Sequence, residues 1–205
     1  MSEAATSKSI LELQCPAKLN LFLHIVGRRP DGYHLLQSVF QLIDWCDSLT
    51  LRLIPEPEIR RINPIPGVPP EEDLVVRAAQ LLKEFCSTKQ GVEIHLKKRI
   101  PMGAGLGGGS SDAASTLIGL NQLWNLGLNT ETLSQLGLKL GADVPFFIFG
   151  HNAFVEGIGE KMYGISLETQ DFLVIFPNQG IATAKIFQDP QLTRDHAPIT
   201  IDRFI

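Results

Sequence analysis

KKRIPMGAGLGGGSSDAA, residues 97–114, reads as a glycine loop running directly into a helix. Five glycines, Gly103, Gly105, Gly107, Gly108 and Gly109, fall within seven positions. Lacking a Cβ, they let the backbone adopt positive φ and approach a ligand closely. The residues from Ser110 or Ser111 towards Trp124 then read as the helix. Its first N–H groups are unpaired and its dipole is positive at that end, so such a loop can cradle phosphate without basic side chains. Ser110 and Ser111 either cap the helix or offer hydroxyls to a phosphate or to Mg²⁺. Gly103 to Gly108 also matches G-x-G-x-x-G. A dinucleotide fold needs a second strand after this helix, ending in an acidic residue about 20 positions on. Residues 126–130 read instead as a short loop between helices, and no Gly-Lys-Ser/Thr closes a P-loop.

Upstream of the loop the pattern is strand-like. Leu19, Leu21 and Leu23 alternate with Asn20, Phe22 and His24, and Leu49, Leu51 and Leu53 alternate with Thr50 and Arg52. Arg29-Pro-Asp-Gly32 reads as a turn. Six prolines from Pro55 to Pro70 argue against regular structure there. Leu74, Val75, Ala78, Leu81, Leu82 and Phe85 then follow at helical spacing, and residues 92–97 read as a strand. Downstream, Asn129 or Thr130 caps a third helix. Short apolar runs predict strands at residues 146–149, 153–156 and 172–176, and residues 198–205 look like the opening of a helix. Strands first and then helices mixed with strands argue for α+β rather than a doubly wound parallel sheet.

Composition narrows the partners. The 205 residues are 44% apolar and 20% charged, with a net charge of −4, which describes a folded chain. That balance argues against a broad electrostatic grip on nucleic acid or on an anionic membrane, so any phosphate must be held locally. Cys15, Cys46 and Cys86 fit neither a disulfide framework nor a zinc site and read as reduced thiols packed as small hydrophobes. The N-terminal ten residues have no apolar signal region, and no run of about 18 apolar residues occurs. A cytoplasmic protein with a disordered segment 1–10 is expected.

Several residues outside the loop carry chemistry. Asp143, in LGADVPFF, sits among apolar residues, where a desolvated carboxylate becomes more basic and can serve as a general base. Its plainer reading is a loop cap. Lys18, in PAKLNL, lies within an apolar strand and must either reach solvent or find an anion. Asp31-Gly32-Tyr33-His34 presents an aromatic face beside an imidazole, suited to stacking on a base and bonding its edge, or simply to packing on the core. The remaining histidines lack metal-ligand spacing.

PMGAGLGGGSSDAA resembles the central motif of the galactokinase, homoserine kinase, mevalonate kinase and phosphomevalonate kinase superfamily. PAKLNLFLHI, RRPDGYHLLQSVF, LGADVPFF and GHNAFVEGIGE resemble the branch of it that acts on 4-diphosphocytidyl-2-C-methyl-D-erythritol in non-mevalonate isoprenoid biosynthesis. The resemblance implies the superfamily kinase fold, ribosomal protein S5 domain 2-like. It also implies ATP-dependent phosphorylation of that substrate's 2-hydroxyl, with ATP and Mg²⁺ as cofactors. By matching position, Asp143 would take the hydroxyl proton and Lys18 would hold Asp143 and the reacting groups in register. Pro101, Gly103, Ala104, Gly105, Leu106, Gly107, Gly108, Gly109, Ser110 and Ser111 would bind ATP, with Mg²⁺ on its phosphates and Ser110 or Ser111. Asn20 would anchor the substrate, Tyr33 and Phe187 would stack on its cytosine, and His34 would bond the base edge. Such a protein is expected to bind a small cytidine diphosphate substrate and no nucleic acid or membrane, as a monomer or weak homodimer. Asp73 stands where the family commonly has an asparagine near adenine. A later glycine-rich stretch of the family does not occur, so residues 11–165 are expected to form the ATP-binding domain and 166–205 the start of a C-terminal domain that is mostly absent.

Overall fold

Two long strands, β1 (Ile10–Arg28) and β2 (His34–Ile54), form an antiparallel hairpin that is the spine of the molecule. The expected turn joins them: Gly32 has a φ of +92° and donates its N–H to the Arg29 carbonyl, and Arg29 N–H donates to the Tyr33 carbonyl. The computed structural model describes residues 9–177, 186–187 and 189–201. Residues 1–8, most of the expected disordered segment, lie outside these, while Ile10 already pairs with Arg52.

The far edge of β2 is shared. Its C-terminal half pairs with β4 (Gly91–Lys97) and its N-terminal half with β5 (Ala153–Gly157). β3 (Ile59–Arg61) extends the sheet beyond β4 and β6 (Lys161–Gly164) beyond β5. Of these pairings only β3 with β4 is parallel, so the sheet is not that of a dinucleotide-binding fold. The α+β expectation holds. Helices α1 (Leu74–Cys86), α2 (Gly108–Leu123), α3 (Thr130–Leu138) and α4 (Val144–Phe149) pack into one core with the sheet, with Leu49, Leu51, Leu82, Ile94, Leu117 and Leu120 at its centre. α2 touches β1, β2, α1, α3 and α4 and is the central helix.

Four expectations need correction. β3 falls inside the proline-rich stretch, because it lies between Pro57 and Pro64 and no proline removes one of its ladder N–H groups. The run VPFFIF is helix α4 rather than a strand. Pro145 at its first turn and Gly150 at +74° just past its end are the usual punctuation of a short helix. Residues 172–176 form no strand, and Leu173 and Ile175 stand exposed. α2 begins at Gly108, ahead of the two serines, with Gly107 at a φ of +71° as its N-terminal boundary and no side-chain cap. The helix expected from Pro198 runs into residues 202–205, outside the described residues.

Candidate active site

The site is built on a short regular stretch of β1 between two register slips, at Pro16/Ala17 and at Asn20/Phe22. Within it Ala17 and Lys18, neighbours in sequence, are both buried, Ala17 against Ile100 and Leu106 and Lys18 beside Phe40 and Gly107. Lys18 is only 4% exposed. Its Nζ donates to Asn20 Oδ1 at 2.8 Å, lies 3.6 Å from Asp143 Oδ2 and stands 4.7 Å from the centre of the Phe40 ring. Burial pulls the Lys18 ammonium below its usual range, and the Asp143 charge opposes that shift. Asp143, at the start of α4, departs from expectation: its side chain is 37% exposed and caps nothing. The cation of this pair is the buried member. The carboxylate reaches solvent, where a substrate hydroxyl could meet it.

The glycine loop abuts this pair. Lys18 N–H donates to the Leu106 carbonyl at 2.9 Å, and a Cβ on Gly107 would sit 3.2 Å from Lys18 Cγ and 2.8 Å from the Phe147 ring. Gly103, Gly105 and Gly107 have φ values of 72°, 75° and 71°, as expected of a chain folded around a ligand. A cavity of about 410 Å³ opens over the loop, walled by Pro101 to Ser110 on one side and by Ile65, Val68, Asp73, Leu74 and Val75 on the other. Ser110 lines it, whereas Ser111 is fully buried with an unpartnered Oγ. Neither serine caps the helix. Ser110 can therefore offer a hard oxygen donor to a phosphate-bound divalent cation. Among the described residues no group of three or more His, Cys, Asp or Glu could hold a metal without such a ligand.

Two ion-pair groups in the cavity wall were not found from the sequence. Lys98 Nζ bonds Asp112 Oδ2 at 2.7 Å and also Asp47 Oδ2, and Asp47 Oδ1 accepts the N–H groups of Arg99 and Ile100. Asp73 accepts from Arg61 Nε at 3.0 Å and caps α1 by accepting from Val75 N–H at 3.1 Å. A signal existed for the first group: Asp47 interrupts the apolar sequence of β2, and Asp112 the small apolar face of α2. The partner that makes either burial tolerable lies far along the chain, so no local pattern names it.

Tyr33 and His34, expected to recognise a base, stand at the turn end of the hairpin. Tyr33 is 61% exposed, while the rings of His34 and Phe187 stack on each other, with centroids 5.2 Å apart. The structure thus brings together Lys18, Asn20, Asp143 and the glycine loop. It groups Tyr33, His34 and Phe187 separately. His24 stacks on His196 at 4.4 Å, a packing role. No helix among the described residues is long and apolar enough to cross a membrane.

Residues 73–151 match the GHMP kinases N terminal domain family. Over 195 residues the chain is 78% identical to a 4-diphosphocytidyl-2-C-methyl-D-erythritol kinase of Polynucleobacter necessarius, covering 95% of this chain and 66% of that one. With the protein of that name from Burkholderia mallei the identity is 58% over 200 residues, covering 98% and 68%. The chain thus spans about two thirds of the length of the curated relatives it matches. A crystal structure of 4-(cytidine 5'-diphospho)-2C-methyl-D-erythritol kinase superposes with a TM-score of 0.78 at 35% identity, over 94% of this chain and 69% of that one. A homoserine kinase from Cytophaga hutchinsonii shares the fold, with a TM-score of 0.64 at 18% identity over 94% and 64%.

Proposed function

Since the chain belongs to the 4-diphosphocytidyl-2-C-methyl-D-erythritol kinase family within the GHMP kinases, we propose that it carries the ATP-binding and phosphoryl-transfer residues of that reaction. The observation that supports this reading is the Lys18–Asp143 pair standing against the end of a glycine loop that walls a cavity. The γ-phosphoryl group of ATP passes to the substrate's 2-hydroxyl: a bond forms from that oxygen to phosphorus, the bond to the ADP oxygen breaks, and the hydroxyl proton goes to Asp143. Buried Lys18 holds the Asp143 carboxylate in place, and Asn20 holds Lys18 in turn. Pro101 and the loop from Gly103 to Ser110 hold the polyphosphate, with backbone N–H groups and the N-terminus of α2 facing its charge, while Ser111, buried beneath, is not in contact with it. Mg²⁺, when bound with ATP, would neutralise phosphate charge, and Ser110 is placed to contribute a hydroxyl.

Tyr33 offers an open face for stacking on cytosine, His34 its edge donor, and Phe187, already stacked on His34, braces that imidazole. Residues 11–165 form the ATP-binding unit in this reading, a cytoplasmic one, working as a monomer or weak homodimer. The test is Asp143→Asn. It should lower kcat at least ~10²-fold because proton acceptance is lost, and leave ATP and CDP binding nearly intact. A variant that keeps its kcat removes Asp143 from the chemistry.

A further inference from the structure

The glycine loop is tied down at both of its ends to one point on β2. Before the loop, Asp47 accepts the N–H groups of Arg99 and Ile100 and pairs with Lys98. After the loop, Asp112 in the first turns of α2 pairs with the same ammonium, at 2.7 Å. The side chains of Asp47 and Asp112 are 0% and 3% exposed. Lys98 sits where the loop enters α2: a Cβ on Gly108 would lie 3.2 Å from its Nζ and 3.0 Å from the Ile100 side chain, so a larger residue there would crowd both. Lys98 and Asp112 both line the cavity, and the buried Asp112 carboxyl also stands within hydrogen-bond reach of the Cys15 thiol and of Asp47.

Two carboxyl groups share one ammonium in this wall, so the cluster carries no net positive charge, beside a loop built to hold an anion. Charge attraction to a polyphosphate therefore does not account for the cluster. Its geometry does something else, closing residues 98–112 into a loop whose two feet cannot move apart. A preformed cradle spares the ligand the cost of ordering seven residues rich in glycine.

We propose that Lys98 is a positioning residue, which clamps Asp47 to Asp112 and so holds the glycine loop in the shape that receives the polyphosphate. This rests on the reading of the cavity as the ATP site. Lys98→Met in the full chain should raise the Kd for ATP at least ~10-fold while changing the Kd for CDP by less than ~2-fold, since the cytidine residues stand elsewhere. Lys98→Arg, which can span both carboxylates, should stay within ~3-fold of the parent for ATP. The sign of the Asp112→Ala effect separates clamping from charge. Measured at about pH 8.5, where the Asp112 carboxyl is ionised, a clamp predicts weaker ATP binding, whereas a cluster acting only through its net charge would bind ATP more tightly once a carboxylate is gone. Tighter binding in Asp112→Ala, or an unchanged ATP Kd in Lys98→Met, overturns the clamp and leaves the ATP reading standing. Loss of both ligands together in Lys98→Met, or failure of that variant to fold, makes the cluster a fold element and also overturns it. If the parent chain binds no ATP, both readings fall.

Discussion

Ionising Asp112 is costly, because its carboxyl is 2% exposed. Burial holds its pKa up at about 7, against the opposing charge of Lys98 and with Asp47 pushing the same way. A folded-state pKa above the ordinary value of 3.8 means that the native chain binds this proton more tightly than the unfolded one. The stabilisation is fully present below that ordinary value and is lost as pH rises through about 7. Asp112→Asn cannot titrate there. Urea unfolding across this range should show the variant gaining on the parent by up to ~1.4 kcal/mol per pH unit, with a constant difference above the folded pKa. A difference that does not change with pH would mean that Asp112 stays ionised throughout. At Tyr33 the expectation concerns binding: Tyr33→Ala should weaken CDP by roughly 1–3 kcal/mol and leave ATP nearly unchanged, as titration calorimetry with each ligand would show.

Within the glycine loop, positions differ although the residues are the same. Gly105 and Gly107 share a positive φ, yet a Cβ on Gly105 would meet nothing within 4 Å, whereas one on Gly107 would meet the Phe147 ring at 2.8 Å. Gly105→Ala should therefore cost only the left-handed backbone penalty, about 1 kcal/mol. Gly107→Ala adds a collision between the loop and α4, the element that carries Asp143, and should cost a further ~1–3 kcal/mol. Thermal unfolding of the two variants side by side reads the difference, and equal melting temperatures would show that α4 yields without cost. Helix α4 also shows where local reading fails. Four apolar residues in a row, Phe146 to Phe149, fit a buried strand as well as a buried helix by periodicity. Pro145 and Gly150 distinguish the two, but only once the run is read as the six residues Val144 to Phe149, with Pro145 in its first turn, rather than as four.

Across the whole molecule the central contact is α2 against the hairpin, and it depends on the absence of a side chain. A Cβ on Gly119 would lie 2.6 Å from Leu51 Cδ1 and 2.7 Å from Leu13 Cδ1, so helix and sheet approach as closely as glycine permits. Gly119→Val should destabilise the fold by ~1–3 kcal/mol through overpacking. Denaturant unfolding with an unchanged m-value is the check, and no loss of stability would mean that the sheet can retreat from α2. The residues near the end of the described chain join this body too. Ile199 exchanges hydrogen bonds with the Gln37 side chain at 2.8 and 3.1 Å, and His196 N–H donates to the Ile25 carbonyl. Both anchors lie on the hairpin, beyond Asn20 in the direction of Tyr33.

By itself the sequence determined what is local: the glycine loop, the helix it opens, the turn at Gly32, the Asn129 cap, and Lys18 and Asp143 as candidates. Each of these is set by φ preferences, by periodicity, or by the cost of a charge among apolar neighbours, and all three can be read within a few residues. Only the tertiary structure decided which member of the Lys18–Asp143 pair is buried, which serine faces the cavity, and that one lysine joins both feet of the loop. Those depend on how the glycine loop and α4 cover β1, and on contacts between residues as distant as Asp47 and Asp112. Burial and pairing belong to the packed chain, and no stretch of it carries them alone.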